Sequence, residues 1–249
     1  MKTFRLIRSP ANSADYNMAL DEKIFQRYLE DGIGILRLYR WQSPSFTYGF
    51  SQEPQKLINL AHCANDGVGV AKRITGGGVL FHDDEITYSF ACSKADVGEP
   101  QGIFVSYRNL CAFIMRFYKS LGLAPVFALE AADYKSQSAA SSEICSIGHE
   151  KYDIVINGKK IGGNAQKRKR QVIFQHGSIP CRINWDFAHK YLNFPPDNLS
   201  TGATVLADEL KVVPQKEILE QKLIDAFASE FGVNFIEENE FAYQTSMVG

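Results

Sequence analysis

The sequence contains no long apolar run, no excess of one charge and no closely spaced pair of cysteines. Its 249 residues are 45% hydrophobic and 22% charged, an ordinary globular composition that excludes collagen-like, coiled-coil and wholly disordered chains. No segment of about 18 apolar residues occurs, so neither a transmembrane helix nor a membrane partner is expected. Residues Met1 to Leu6 lack the apolar core of a signal peptide, and we therefore expect a cytoplasmic protein.

The charges of the chain are almost balanced. There are 27 Lys and Arg residues against 28 Asp and Glu residues, which gives a formal net charge of −1. A general nucleic-acid-binding protein carries a strong positive field, so no nucleic-acid partner is predicted. Any charged partner must be recognised by a local patch. The basic run Lys167-Arg168-Lys169-Arg170 is either a solvated loop or a surface that steers an acidic protein partner.

Cysteine is scarce and widely spaced. The five cysteines stand at positions 63, 92, 111, 145 and 181, and no Cys-x-x-Cys motif occurs. An odd number at this spacing fits neither a disulfide framework nor a zinc site, so no metal is predicted. Four of the five fall in helix or strand patterns and are predicted to be structural, whereas Cys145 ends a serine-rich loop.

The apolar periodicity predicts one α+β domain over residues 1–249. Helices are expected at 13–30, 54–66, 104–121 and after Pro214, and strands at 4–8, 35–39, 46–50, 68–72 and 172–179. Two hairpins are predicted: one over residues 79–92 that turns at Asp83-Asp84, and one over 152–161 that turns at Asn157-Gly158. Strands with several hairpins and few helices imply a mixed, largely antiparallel sheet with packed helices.

A glycine-rich segment, Arg73 to His82, follows the strand predicted at 68–72. Its three successive glycines permit positive φ angles and close approach of a ligand, and their N–H groups can hold a carbonyl, carboxylate or phosphate oxygen. The segment has neither the lysine of a Walker loop nor the spacing of a dinucleotide fingerprint. A tight turn with a bulge is the alternative interpretation.

The hairpin predicted at 152–161 separates two neighbouring lysines. A two-residue turn pairs Val155 with Lys160, so Lys160 shares a face with Asp153 while Lys159 lies on the other face. One lysine can therefore point into a site, although solvated lysines are the usual outcome at a hairpin tip. Gly162-Gly163 indicates close approach of a ligand or of backbone, because glycine otherwise weakens a strand.

Cys145 precedes Lys160 by fifteen residues. A free thiol titrates near pH 8.5, and a neighbouring cation makes it ionise more readily. Cys145 is therefore a candidate nucleophile, with an inert loop thiol as the alternative interpretation.

Three blocks together resemble the biotin and lipoate protein ligase superfamily, which includes the lipoate-protein ligases and the octanoyltransferases. The blocks are Asn17–Glu22, Arg73–His82 and Asp153–Gln166, and the similarity spans roughly residues 12–180. The resemblance implies the catalytic-domain fold of that superfamily. The substrate-binding residues that it implies are Arg73, Gly76, Gly77, Gly78, His82, Gly163 and Ala165.

Two classes of this superfamily remain open. Cysteine-dependent octanoyltransferases pass octanoate through a thioester on the enzyme and need no cofactor, whereas lipoate-protein ligases activate a free acid with ATP and magnesium. Cys145, seven residues before Tyr152, resembles the acylated cysteine of the transferases, and Lys160 resembles the lysine that activates it. Glu85 to Ser89 also matches the transferase pattern. Gly76-Gly77-Gly78 and Asn164 resemble the ligases instead.

The resemblance to the transferases implies two protein partners. The donor would be octanoyl-acyl carrier protein. The acceptor would be an apo lipoyl domain, such as the glycine cleavage H protein or a 2-oxoacid dehydrogenase subunit, and the group would be octanoyl or lipoyl. We expect the acyl chain to lie between the glycine-rich segment and the 79–90 hairpin, with Arg73 and His82 near the mouth of its slot.

Overall fold

Residues 1–99, 102–131, 151–193 and 202–243 are described by a computed structural model of the chain. The strands are β1 (Lys2–Asn12), β2 (Ile35–Trp41), β3 (Ser45–Tyr48), β4 (Gly69–Lys72), β5 (Leu80–His82), β6 (Asp84–Ser93), β7 (Val126–Phe127), β8 (Ile154–Ile156), β9 (Lys159–Ile161), β10 (Gly163–Lys169), β11 (Val172–Arg182), β12 (Ala203–Thr204) and β13 (Val233–Glu237). The α-helices are α1 (Ala14–Asp31), α2 (Pro54–Leu57), α3 (Leu60–Asp66), α4 (Gly102–Ser120), α5 (Trp185–His189), α6 (Leu206–Glu209) and α7 (Lys216–Phe231). None of these helices combines the length and the apolar character that crossing a bilayer requires.

A six-stranded mixed sheet, in the order β10-β11-β6-β2-β1-β13, forms the centre of the molecule. The pairs from β10 to β2 are antiparallel, and those that β1 makes with β2 and β13 are parallel. Two smaller sheets, β12-β9-β8-β7 and β4-β3-β5, flank it. The predicted α+β class with a largely antiparallel sheet and packed helices is confirmed.

Helix α1 covers one face of the central sheet. Ser13 begins the helix, because its hydroxyl accepts a hydrogen bond from the Tyr16 N–H at 3.3 Å, and Gly32 ends it in the left-handed conformation with φ at 68°. Its apolar stripe, including Leu20 and Ile24, is buried. The same buried side carries Asp21, so the helix brings a carboxylate beneath the sheet.

Helices α4 and α7 cover the opposite face with an aromatic cluster. Phe227 lies 5.3 Å from Phe90 of β6 and 5.0 Å from Phe113 of α4, measured between ring centroids. All three rings are buried. Edge-to-face aromatic contacts of this kind add to the area that the rings remove from water.

The hairpin around Asn157-Gly158 has the predicted geometry. Both turn residues have positive φ angles, 50° and 77°, and Val155 pairs with Lys160. Lys159 is exposed and Lys160 is buried, so the two lysines point to different environments as predicted. Strand β12 pairs with β9 and covers Lys160 from outside.

The hairpin predicted over residues 79–92 is wrong. Strand β5 pairs with β3 in a small sheet, whereas β6 lies between β11 and β2 in the central sheet. The chain leaves one sheet for the other at Asp83, whose carboxylate accepts a hydrogen bond from the Asn184 N–H at 2.8 Å. Local alternation finds strands, but it does not say with which strand each one pairs.

Several further elements differ from the prediction. The helix expected over 54–66 is interrupted at Ile58, which has extended backbone and forms a β-bridge with Leu192. Strands β7, β10 and β12 and helices α5 and α6 were not predicted, and β10 places residues 167–169 in a strand rather than in a loop. Strand β13 was not predicted either. It follows Gly232 directly and pairs with the edge of β1, a contact between the two ends of the chain that local sequence does not encode.

Candidate active site

A small cavity opens where α1, the glycine-rich segment and strands β10 and β11 meet. The residues that line it are Met18, Tyr39, Thr47, Arg73, Leu80, His82, Thr87, Gly163, Asn164, Ala165, His176 and Gly177. Aliphatic side chains and glycine backbone face a few buried polar groups. Such a lining fits a ligand with an apolar chain and a polar head.

Buried charges lie behind one wall of this cavity. Asp21 accepts hydrogen bonds from Arg37 at 2.9 Å, from the Tyr39 hydroxyl at 3.0 Å and from the Ser89 hydroxyl at 2.7 Å. Arg37 also donates to the side-chain oxygen of Asn17 at 2.7 Å. A buried ion pair is costly unless its remaining groups are satisfied, and here the neighbours satisfy them. The network therefore fixes α1 against the sheet.

His176 connects this network to the glycine-rich segment. Its Nδ1 lies 3.2 Å from the Asp21 carboxylate, and its Nε2 lies 2.7 Å from the Thr75 hydroxyl. Burial lowers the pKa of His176 below its ordinary value, although Asp21 opposes the shift. The ring is thus neutral near pH 7, so Nδ1–H donates to Asp21 while Nε2 accepts from Thr75.

The pKa of Asp21 is shifted in the direction that keeps it ionised. Burial alone raises this pKa, but the hydrogen bond from His176 and the charge of Arg37 outweigh burial and place the pKa below its ordinary value. An ionised carboxylate therefore lies next to the cavity and binds both His176 and Arg37.

A second buried carboxylate orients His82. Glu85 Oε1 lies 2.9 Å from His82 Nδ1, and His82 Nε2 lies 2.7 Å from the Thr47 hydroxyl. The Trp41 ring stacks on His82 with 3.9 Å between centroids, and Ser178 donates to the other Glu85 oxygen at 2.8 Å. His82 is only 3% exposed, so it forms part of the cavity wall.

Arg73 shapes the glycine-rich segment from inside. One of its guanidinium nitrogens donates to the backbone carbonyl of Thr47 at 2.9 Å, and the other donates to the carbonyls of Gly76 and Gly78 at 3.2 and 2.6 Å. Gly77 has a φ of 94°, which favours glycine. The three glycines thus form a tight turn wrapped around Arg73, and only the arginine reaches the cavity lining.

Lys160 lies beside the cavity rather than in it. It lines a smaller adjoining pocket that shares Leu80 with the main cavity. Its side chain is 2% exposed, and Nζ lies 2.7 Å from the Asp153 carboxylate. Because a buried ammonium group needs a partner, Asp153 holds this cation at a defined position.

The structure brings some of the predicted site residues together. Arg73, His82, Gly163 and Ala165 line one cavity, and Lys160 lies next to it. Cys145 and the serine-rich loop that it ends lie outside the described residues.

The four other cysteines are buried, as predicted for structural residues. Burial raises the pKa of the Cys63 thiol to about 11 and those of Cys111 and Cys181 to about 12. These thiols stay protonated near pH 7 and are poor nucleophiles. In the described part of the chain, no group of three or more His, Cys, Asp or Glu side chains is placed to hold a metal ion.

The polar network behind the cavity was not predicted from the sequence. Asp21 belongs to a block that carries the family resemblance, but no role was assigned to it. Arg37 and His176 each lie in a strand that is largely buried. A charged or imidazole side chain at a buried strand position is the signal that identifies such a network.

The chain is similar in sequence to proteins of one described family. The family description "Lipoyl protein ligase A/B catalytic domain" matches residues 13–232. A protein of Kyrpidia tusciae named octanoyltransferase LipM is 32% identical over 242 residues, which cover 93% of this chain and 88% of that protein. The octanoyltransferase LipM of Brevibacillus brevis is 31% identical, over 93% of this chain and 86% of its own length.

Solved structures share the fold at lower identity. A lipoate-protein ligase A bound with ATP superposes with a TM-score of 0.77 at 22% identity, covering 98% of this chain and 92% of its own. A lipoate protein ligase of Thermoplasma acidophilum with bound lipoic acid superposes with a TM-score of 0.74 at 21% identity, over 98% and 93% of the two chains. At these identities the likeness concerns the fold alone.

Proposed function

Because the chain belongs to the lipoyl protein ligase A/B catalytic-domain family, we propose that it is an acyltransferase of lipoate biosynthesis that transfers an octanoyl group to a lysine of a lipoyl domain. The observation that carries this proposal is the identity of 31–32% with proteins named octanoyltransferase LipM along 93% of the chain. The alternative within this proposal is that the transferred group is lipoyl rather than octanoyl.

The proposed chemistry uses Cys145 as nucleophile. Its thiolate attacks the carbonyl carbon of the octanoyl thioester on acyl carrier protein, and the carrier thiol leaves as an enzyme thioester forms. The amine of the acceptor lysine then attacks that thioester, an amide forms, and the Cys145 thiol is released. No nucleotide or metal enters either step.

Lys160 supplies a fixed positive charge for this chemistry. The ammonium group is buried and held by Asp153, close to the wall that carries Gly163. A cation near a thiol favours the reactive thiolate. We assign to Lys160 the role of stabilising the Cys145 thiolate.

The cavity suits the octanoyl chain. Met18, Leu80 and Ala165 provide apolar contacts, and burial of each methylene group in such a slot contributes about 0.8 kcal/mol. Arg73 and His82 form a polar part of the same wall.

The partners follow from the two steps. A lipoyl-domain protein is the acceptor, and the H protein of glycine cleavage and the 2-oxoacid dehydrogenase subunits are specific candidates. Octanoyl-acyl carrier protein is the proposed donor. Both reactions are expected in the cytoplasm.

Acyl transfer to an apo lipoyl domain, measured with octanoyl-acyl carrier protein and separately with octanoate plus ATP and magnesium, tests the proposal. Wild type is expected to turn over with the carrier thioester and no nucleotide. Lys160→Met is expected to lose roughly a hundredfold or more in rate, whereas Lys159→Met on the exposed face of the same strand stays near wild type. Turnover only with octanoate and ATP would favour the ligase reaction instead.

A further inference from the structure

A groove adjoins the cavity at Arg73. Arg73 lines both spaces, and strand β10 runs from one to the other: Gly163 and Ala165 face the cavity, while Lys167 and Arg168 line the groove. The two spaces therefore share Arg73 as a wall, and a linear ligand that occupies both must pass this residue.

The groove is basic. Lys72 contributes a third side chain beside Lys167 and Arg168, and the exposed Glu22 is the one carboxylate among the described residues that line it. Within the described ranges, none of these three cations forms an ion pair. By contrast, Arg40 lies 2.8 Å from a Glu220 oxygen. Clustered positive charge without paired carboxylates in a nearly neutral protein is an anion-binding field.

The side chains that carry this charge are partly fixed. Lys167 Nζ lies 5.4 Å from the centroid of the Phe25 ring, and Arg168 donates to the side-chain oxygen of Gln166 at 2.6 Å. Contacts with rings and neutral groups restrict the side chains without neutralising them. The cations therefore remain available to an anion at a defined place.

The edge of the groove is apolar. Phe50 lines it and is 59% exposed, and its N–H donates to the Thr75 carbonyl at 2.9 Å, which anchors the residue to the glycine-rich segment. The ligand suited to this place thus combines an anionic group with a less polar arm.

We propose that the groove binds the phosphate of the phosphopantetheine arm that presents the octanoyl thioester. The inference rests on the proposed function, because it takes the acyl end of that arm to lie in the cavity. The acceptor lysine fits the groove poorly, since it carries no phosphate and its ammonium form is repelled by the same cations.

Two small donors test the proposal: S-octanoyl-4′-phosphopantetheine and S-octanoyl-pantetheine, which lacks the phosphate. The rate of octanoyl-enzyme formation is followed by intact mass. For wild type, kcat/KM is expected to be about tenfold higher with the phosphorylated donor, since charge-assisted hydrogen bonds to a phosphate supply that difference. Lys167→Gln and Lys72→Gln are expected to bring the ratio of kcat/KM for the phosphorylated donor to kcat/KM for the unphosphorylated donor towards one. Lys211→Gln, at an exposed residue outside the groove, is expected to keep the wild-type ratio.

Other outcomes overturn the assignment. A wild-type ratio near one, or a ratio that Lys167→Gln leaves intact, shows that the groove does not hold the phosphate. If Lys167→Gln slows transfer from preloaded octanoyl-enzyme to the lipoyl domain but not loading, the surface belongs to the acceptor. If ATP displaces 4′-phosphopantetheine and binds more tightly, the groove is a nucleotide site.

Failure of the proposed function is a separate result. If neither donor acylates wild type, the transferase reaction fails. The groove is then tested by calorimetric titration with 4′-phosphopantetheine and with pantetheine. Tighter binding of the phosphorylated compound that is lost in Lys167→Gln sustains the phosphate site, and equal binding of the two compounds ends it.

Discussion

At the residue scale, two buried carboxylates organise the cavity. Asp21 and Glu85 each hold a histidine, His176 and His82, and each histidine reaches a threonine hydroxyl on the far side. These hydrogen bonds of 2.7 to 3.2 Å join the sheet to the cavity wall, and all the groups that form them are buried.

The buried imidazole of His176 makes stability depend on pH. Its pKa in the folded protein is lowered from about 6.5 by burial, so below that value the unfolded chain takes up a proton that the folded ring resists. The contribution of His176 to the free energy of unfolding is complete above the pKa that this residue has in the unfolded chain. It is lost as the pH falls towards the lower pKa of the folded protein, by at most about 1.4 kcal/mol per pH unit. Asp21, whose pKa is also lowered, acts in the same direction but only at more acidic pH.

Urea unfolding of His176→Gln at pH 7.5 and pH 5.5 tests this. The variant is expected to lose less free energy of unfolding between the two pH values than wild type does, whatever its stability at pH 7.5. His62→Gln, a change at an exposed histidine, keeps the wild-type difference. The same loss in His176→Gln and wild type would contradict a neutral buried ring.

The positions of the site residues were predictable only where a short stretch of sequence determines the local backbone conformation. Lys160 follows from a two-residue turn, which fixes the register and hence the face of each lysine. The roles of Asp21 and Arg37 could not be predicted, because their partners lie on other elements. The neighbouring residues in the sequence do not indicate that these two side chains form an ion pair.

At the element scale, local turn signals predicted more than long-range pairing did. Ser13 and Gly32 delimit α1, and Asn157-Gly158 forms its hairpin, since capping and turn preferences act over a few residues. The division of β5 and β6 between two sheets depends on β3 and β2, which precede them by tens of residues. Alternation alone therefore produced a false hairpin.

Two glycines of the β8–β10 segment make a matched test of this architecture. Gly158 and Gly162 have similar φ angles of 77° and 72°, but a Cβ at Gly158 meets open space while one at Gly162 lies 2.0 Å from the Ser178 carbonyl oxygen. Gly158→Ala is expected to cost about 1–2 kcal/mol of unfolding free energy from backbone strain alone. Gly162→Ala is expected to cost roughly 3 kcal/mol or more, because strand β11 must also move.

Urea midpoints of both variants measure the difference, and octanoyl transfer should fall further in Gly162→Ala because Gly163 and Lys160 adjoin the displaced backbone. Equal losses of stability in the two variants would mean that β11 is not packed against Gly162 as described.

At the scale of the whole molecule, the central sheet has the polar network of the site on one face and the aromatic core on the other. Helix α1 and the polar network occupy one face, and α4 and α7 with their aromatic cluster occupy the other. The overall class was predictable because apolar periodicity reports which faces are buried. The contact of β13 with β1 was not, because it joins residues more than two hundred positions apart.

The aromatic cluster is expected to dominate the stability of the fold. Phe227 is 1% exposed and packs against Phe90 and Phe113, so Phe227→Ala should reduce the free energy of unfolding by about 3–5 kcal/mol. Phe241→Ala, at a residue that is 62% exposed, should change it by less than about 0.5 kcal/mol. Denaturant titration compares the two, and a small loss for Phe227→Ala would show that the α4–α7 face is not the core.

The proposed transfer reaction depends most on Cys145 carrying the octanoyl group as a thioester. Wild type incubated with octanoyl-acyl carrier protein, without nucleotide, is expected to gain the mass of one octanoyl group, and hydroxylamine should remove it. Cys145→Ser should gain no hydroxylamine-sensitive mass, whereas Cys63→Ser, at a buried thiol, should be labelled like wild type. Wild-type protein that stays unmodified, yet octanoylates a lipoyl domain from octanoate and ATP, would contradict the thioester route and establish activation by nucleotide.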